Sequence, residues 1–137
     1  MFAPFPPYHF AGKKLRMSRR PKKKGLQRII GAFFYSINGI KACFRTEEAF
    51  RQEVMLAVVM VPLGLYLGST MTERLLLSGS VCFVLIVELL NTSIERAIDR
   101  ISSEEHELSK ESKDMGSAAV LLSLIMTAML WAALLCF

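Results

Sequence analysis

Long stretches without a charged residue constrain this chain more than any other feature. Residues 54–71 contain no charged side chain over 18 positions, and residues 115–137 contain none over 23. At about 1.5 Å rise per residue, helices of this length cross a hydrocarbon core of about 30 Å. A third apolar run, residues 75–87, is long enough only if Glu88 and its successors belong to the same helix. We therefore predict an integral membrane protein.

Positive charge is concentrated at the N-terminal side. Eleven Lys or Arg residues and no Asp or Glu lie between residues 1 and 46, and the whole chain carries a net charge of +5. Such a segment can attract nucleic acid or the anionic headgroups of a cytoplasmic leaflet. The neighbouring apolar runs favour the membrane, so we predict a disordered basic arm at residues 1–24 and no nucleic-acid partner.

The links between the apolar runs predict the topology. Residues 68–74 form a short, polar connection, which is typical of an antiparallel helical hairpin. The longer link at residues 91–114 holds four Lys or Arg residues, against only Arg74 in the short link. Since Lys and Arg accumulate on the cytoplasmic side, we predict a cytoplasmic N-terminus and a C-terminus on the opposite side.

The segment before the first span is amphipathic. Between residues 26 and 45, apolar side chains recur at helical spacing, among them Ile29, Phe33, Ile37 and Phe44. Such a helix can lie in the membrane interface with its apolar face down. The alternative is a soluble helix that packs on a partner.

These patterns predict an all-α membrane protein with one amphipathic surface helix and three transmembrane helices. The surface helix is expected at about residues 26–45, and the spans at about residues 50–71, 75–100 and 115–137. Together they form one domain, residues 25–137. Three scattered cysteines show no zinc or disulfide spacing, so we expect buried free thiols.

A polar stripe emerges from the second span. Glu88 follows thirteen uncharged residues, and Asn91, Thr92, Glu95 and Asp99 come three, four, seven and eleven positions later, on the same helical face. An ionisable side chain near the membrane centre costs about 2 to 4 kcal/mol and is by default functional. The alternative is that Glu88 and Asn91 only join helices by hydrogen bonds.

The carboxylates of this stripe need cations. Lys113 is one source, and a divalent metal is another, because hard cations prefer carboxylate oxygens. Glu47, before the first span, and Glu95 are the best pair for Mg²⁺. Carboxylates, a lysine and a metal near a lipid interface are the parts that phosphoryl transfer requires. No P-loop or protein-kinase glycine motif occurs, which indicates a kinase of another construction.

Several motifs resemble the prokaryotic integral-membrane diacylglycerol kinases. Their order and spacing hold without gaps from about Gly25 to Phe137, with Trp131 near the end. The matching segments are RIIGAFFYS (28–36), EEAFRQE (47–53), VELLNTSIERAIDR (87–100), EEHELS (104–109) and KDMGSAAV (113–120).

The resemblance implies a homotrimer of three-span subunits in the bacterial cytoplasmic (inner) membrane. It implies that Mg²⁺ and ATP are used to convert diacylglycerol to phosphatidic acid by direct in-line transfer at the cytoplasmic face, with active sites shared between subunits.

The resemblance also implies roles for individual residues. Glu88 looks like the general base, Glu47 and Glu95 look like metal ligands, and Asn91 looks like a supporting residue. Nucleotide contacts are implied for Arg28, Tyr35, Glu47, Glu95, Glu104, Glu105, His106, Lys113 and Asp114. Substrate contacts are implied for Arg28, Ser36, Arg51, Gln52, Glu53, Glu88, Ser117 and Trp131.

Other interpretations remain open from the sequence. Trp131 could anchor the helix at the membrane interface, and Arg51 and Glu53 could simply pair with each other. An undecaprenol kinase would use the same architecture and chemistry on another lipid alcohol. A non-enzymatic membrane adaptor or small transporter subunit is a different class, in which Glu88 would be a proton site or a packing residue.

Overall fold

The computed structural model describes residues 25–101 and 106–136, in which four helices follow one another. α1 spans Leu26–Thr46, α2 spans Glu48–Leu67, α3 spans Met71–Ile101 and α4 spans Glu107–Cys136. The predicted basic arm lies outside the described residues.

The boundary between α1 and α2 is a single extended residue. Glu47, with φ −103° and ψ 120°, interrupts the helical backbone. The Arg51 guanidinium donates to the carbonyl oxygens of Phe44 and Arg45, both at 3.4 Å. These bonds satisfy two carbonyls that the end of a helix leaves without an intrahelical partner, and they link α2 to the last turn of α1.

The turn between α2 and α3 is held by its own side chains. The backbone N–H of Glu73 donates to the Thr70 hydroxyl at 3.2 Å, and the Glu73 carboxylate accepts from the N–H of Ser69 at 2.8 Å. This exchange is close to a capping box, which starts a helix. Arg74 also donates to the carbonyl oxygen of Gly68 at 2.9 Å, so α2 and α3 form a tight antiparallel hairpin.

α3 is the central helix and packs against both α2 and α4. A Cβ atom at Gly64 would lie 2.9 Å from the Cβ of Leu77, so α2 and α3 approach closely at this point. Trp131 of α4 packs into a small core with Ala57, Leu77 and Val81. Its indole N–H donates to the carbonyl oxygen of Leu77 at 3.1 Å.

α2, α3 and α4 are each long and apolar enough to cross a membrane. α3 and α4, with 31 and 30 residues, extend for about 45 Å and therefore reach beyond a hydrocarbon core of about 30 Å. Apolar side chains such as Val58 on α2 and Leu122 and Met129 on α4 are exposed, as lipid contact requires. The predicted all-α fold, with one amphipathic helix before three apolar helices, is confirmed.

α4 begins at Glu107, eight residues before the apolar run on which its prediction rests. The first turns of α4 carry charged side chains, so an apolar run does not reveal them. They nevertheless belong to the same helix as the apolar residues that follow. The predicted polar link of residues 91–114 is correspondingly helical over most of its length in the described residues.

Candidate functional site

Four carboxylates from three parts of the chain lie together where α3 leaves its apolar run. Glu47 lies between α1 and α2, Glu53 lies on α2, and Glu88 and Glu95 lie on α3. Glu88 interacts electrostatically with each of the other three. We refer to these four residues as the carboxylate cluster.

Glu88 is the centre of the cluster and is only 6% exposed. Its carboxylate has a side-chain hydrogen bond with Asn91, which is also buried. The Asn91 amide nitrogen donates to Glu95 Oε1 at 3.3 Å. Because a buried charged group needs hydrogen-bond partners, Asn91 supports both carboxylates of α3.

The other side of Asn91 faces a glycine on α4. A Cβ atom at Gly116 would collide with Asn91 Oδ1. Within the described residues, Oδ1 is buried and accepts no hydrogen bond. The Asn91 side chain can therefore keep its present position between α3 and α4 because residue 116 has no side chain.

Glu47 is held by two donors. Its Oε1 accepts from the Thr46 hydroxyl at 2.9 Å and from Arg96 Nη2 at 3.1 Å. The Thr46 hydrogen bond, followed by that of Arg96, keeps the pKa of Glu47 below its usual range. The sequence-based assignment of site residues missed Arg96, whose only signal was its position directly after Glu95.

Cys43 lies in the last turn of α1, four residues before Glu47, and is 2% exposed. Its thiol donates to the Thr92 hydroxyl at 3.6 Å. Burial raises the pKa of the Cys43 thiol, because the thiolate would lose its hydration. Cys43 is a buried free thiol as predicted. The prediction is wrong for Cys82, which is free but exposed on α3.

Lys113 lies close to α3 but pairs with Asp99. Its Nζ donates to Asp99 Oδ1 at 2.5 Å. Among the described residues, the ion pair with the carboxylate cluster is formed by Arg96, through Glu47. Asp114 and Ser117 are exposed nearby on α4.

The other predicted nucleotide contacts are spread over two places. Arg28 and Tyr35 are exposed on α1, and His106 is exposed just before α4, where its Nδ1 accepts from the N–H of Leu108 at 3.2 Å. Glu104 and Glu105 lie outside the described residues.

The predicted substrate contacts also lie in separate parts of the structure. The Ser36 hydroxyl is exposed and donates to the carbonyl of Ala32 in its own helix at 3.0 Å. Gln52 donates to Glu48 at 3.5 Å. Within the described residues Arg51 and Glu53 do not form an ion pair, and Glu53 Oε2 is buried without a hydrogen bond.

Trp131 lies far from the cluster along the bundle. It is 9% exposed and contacts Leu77, which precedes Glu88 by eleven residues, or about 16 Å along a helix. This position places Trp131 in the packed core near the turn between α2 and α3.

The arrangement fits a cation that is only partly coordinated by the protein. No group of three or more His, Cys, Asp or Glu side chains in the described part of the chain is arranged to hold a metal alone. Mg²⁺ is usually bound through one or two carboxylates, with substrate phosphates and water as its other ligands. Glu47 and Glu95 offer such a pair of carboxylates.

The chain is similar to known proteins over most of its length. The family described as prokaryotic diacylglycerol kinase matches residues 34–135. A Pseudomonas aeruginosa protein named diacylglycerol kinase is 47% identical over 121 residues, which cover 87% of this chain and 98% of the relative. A Haemophilus influenzae protein of the same name is 42% identical, with 85% and 98% covered, and one from Escherichia coli is 47% identical, with 81% and 91% covered. The chain therefore belongs to the prokaryotic diacylglycerol kinase family.

Proposed function

We propose that this protein transfers the γ-phosphoryl group of ATP to the primary hydroxyl of diacylglycerol, which yields phosphatidic acid at the cytoplasmic face of the bacterial inner membrane. Membership of a kinase family implies a nucleotide-dependent phosphoryl transfer, and the relatives' name supports the lipid substrate. The observation that carries the proposal is Glu88, a buried carboxylate held by Asn91 near the end of an apolar run.

Glu88 acts as the general base in this proposal. The hydroxyl oxygen of the lipid bonds to the γ-phosphorus, the bond from that phosphorus to the bridging oxygen breaks, and ADP leaves. Glu88 accepts the hydroxyl proton, a role that requires hydrogen-bond reach to the substrate. Asn91 keeps the Glu88 carboxylate in place.

Glu47 and Glu95 would hold Mg²⁺ together with the phosphates of ATP. When bound, this ion offsets the negative charge of the phosphates during transfer. The fit rests on the hard oxygen donors of the pair and on their shared electrostatic contact with Glu88.

For the other site residues, the motifs shared with the family support roles in binding the nucleotide or the lipid. Lys113 and Asp114 would contact the nucleotide, together with Arg28, Tyr35, Glu104, Glu105 and His106. Ser36, Arg51, Gln52, Glu53 and Ser117 would contact the lipid. Trp131 is implied in the same set, but its buried position favours a packing role.

We also propose a homotrimer with a cytoplasmic N-terminus and a C-terminus on the opposite side. The subunit leaves large apolar side chains exposed on α2 and α4, which lipid or a second copy would cover. Sedimentation of the full chain in a density-matched detergent would measure the mass of the protein assembly, and a monomer or dimer with full activity would contradict the trimer.

The test of the function is a comparison of Glu88→Gln with Glu111→Gln. Glu111 is exposed on α4 and outside the carboxylate cluster, so it controls for the loss of one carboxylate. Transfer of labelled phosphate from ATP should fall at least about a hundredfold in Glu88→Gln and stay near normal in the control. Full turnover in Glu88→Gln would exclude the general-base role.

The same assay with diacylglycerol and undecaprenol, side by side, tests the substrate. We expect faster transfer to diacylglycerol. Preference for undecaprenol would assign the alternative kinase activity, and an absence of lipid-dependent ATP consumption would favour a non-enzymatic adaptor.

A further inference from the structure

The Arg96 side chain reaches from α3 to the junction of α1 and α2. Its Nη2 donates to Glu47 Oε1 at 3.1 Å and to the carbonyl oxygen of Ala42 at 3.5 Å, and it also contacts the Thr46 hydroxyl. One guanidinium therefore ties the last turn of α1 and the residue before α2 to the helix that carries Glu88.

These contacts leave other polar atoms of Glu47 and Arg96 available to a ligand. Both hydrogen bonds to the Glu47 carboxylate in the described residues end on Oε1. The side chains of Arg96 and Glu47 are 43% and 31% exposed. An arginine has five N–H donors, and Arg96 uses only those of Nη2 for its hydrogen bonds to the described residues.

We propose that Arg96 is a positioning residue that makes divalent-metal binding at Glu47 depend on the nucleotide. This inference rests on the proposed function, in which Glu47 and Glu95 hold Mg²⁺. Arg96 fixes the Glu47 carboxylate and places a permanent positive charge beside it. A bare divalent cation is repelled by that charge, whereas a cation that arrives with a polyphosphate is not.

Simple electrostatics gives the direction of the effect. Arg96 cancels the charge of one of the two carboxylates that would bind the metal, so the attraction for a free divalent cation is weakened. The complex of Mg²⁺ with ATP is a net anion, and a guanidinium binds phosphate oxygens well. The site therefore favours the metal–nucleotide complex over either component alone.

Binding of Mn²⁺ provides a readout that does not depend on turnover. Mn²⁺ is paramagnetic and can replace Mg²⁺ at oxygen ligands, so electron paramagnetic resonance measures the free ion during a titration. The full chain in detergent micelles would be titrated with and without a non-hydrolysable ATP analogue. In the wild type, we expect the analogue to strengthen Mn²⁺ binding markedly.

Three variants at the site separate charge from packing. The Arg96→Gln variant should bind bare Mn²⁺ about three- to tenfold more tightly than the wild type. The factor by which the ATP analogue strengthens Mn²⁺ binding should fall by a similar amount. Arg96→Lys keeps the charge and should retain most of the coupling. Arg96→Ala is a second neutral variant in case Arg96→Gln does not fold, which circular dichroism and size-exclusion chromatography would reveal. Arg100→Gln removes an exposed charge one turn further along α3 and should leave the coupling unchanged.

A double-mutant cycle with Glu47→Gln tests whether Arg96 acts through Glu47. The effect of Arg96→Gln on Mn²⁺ affinity should disappear in the Glu47→Gln background. If Glu47→Gln weakens Mn²⁺ binding but Arg96→Gln leaves the coupling intact, Arg96 is only a structural tie and this inference fails alone. If Glu47→Gln does not change binding of the Mn²⁺–analogue complex, the proposed metal site fails and the inference fails with it.

Discussion

Gly116 of α4 lies directly against the side-chain carbonyl oxygen of Asn91 on α3, and any Cβ at position 116 would collide with it. Asn91 is also the residue that hydrogen-bonds with Glu88 and Glu95. A glycine on one helix thus sets the position of an amide that supports two carboxylates on another helix.

We expect Gly116→Ala to lower phosphoryl transfer by about 10- to 100-fold, because a displacement of about 1 Å at a catalytic group can cost that much. Helix content should remain, since alanine favours a helix over glycine by about 0.5 to 1 kcal/mol. Steady-state kinetics and circular dichroism in micelles would measure both effects.

The matched control is Gly79→Ala, because a Cβ at Gly79 meets no atom within 4 Å. Its turnover should stay within about twofold of the wild type. In an Asn91→Ala background, Gly116→Ala should cause little further loss, because the side chain that it displaces is absent. An additive loss there would contradict the link between Gly116 and Asn91.

A second prediction concerns Trp131, whose indole N–H donates to the carbonyl oxygen of Leu77. Trp131→Phe keeps an aromatic ring and removes the donor. We expect a loss of about 0.5 to 1.5 kcal/mol in stability, the usual range for a hydrogen bond between membrane helices, with KM for diacylglycerol within about twofold of normal. Thermal unfolding and lipid-titration kinetics would measure these. A raised KM with unchanged stability would support the substrate contact that the resemblance implies.

Cys43 should react slowly with water-soluble maleimide, because the reagent needs the thiolate and burial raises the thiol pKa above its ordinary value of 9.0. The raised pKa means that the folded state holds the proton more tightly. The protonated Cys43 thiol therefore makes its full contribution to the stability of the folded state below pH 9, and this contribution is lost as the pH rises through the raised pKa.

The labelling rate would be followed against pH in a Cys82→Ser, Cys136→Ser background. The pH midpoint for the folded chain should lie above that of the same chain unfolded in detergent. Equal rates and equal midpoints in the two states would show that the thiol is not buried in the assembled protein.

The Lys113 ion pair with Asp99 is exposed, with 39% and 63% of the two side chains accessible, so solvent screens it and it should contribute little to stability. If Lys113 exchanges Asp99 for a phosphate of ATP, Lys113→Ala should raise KM for ATP about tenfold, as the loss of a charge-assisted hydrogen bond predicts. Nucleotide-titration kinetics would measure the change. Lys110→Ala, an exposed lysine on the same helix, should leave KM unchanged, and equal effects of the two substitutions would point to general charge instead.

Local sequence patterns were sufficient for the architecture. The uncharged runs predicted the spanning helices, and the amphipathic spacing before them predicted α1, because both signals depend on residues that are close in the chain. Glu88, Asn91 and Glu95 were assigned to one helical face for the same reason. The start of α4 at Glu107 was not predicted, because its first turns are charged and lie outside the hydropathy signal.

By itself, the sequence determined that this is an all-α membrane protein with a supported carboxylate at the end of an apolar run. Only the tertiary structure decided which cation meets the carboxylates: Arg96 contacts Glu47, which is 49 residues away in the chain, while Lys113 pairs with Asp99. It also decided that Gly116 leaves room for Asn91. The physical reason is that such contacts depend on how separate helices are placed side by side, and the spacing of residues along one helix carries no information about that placement.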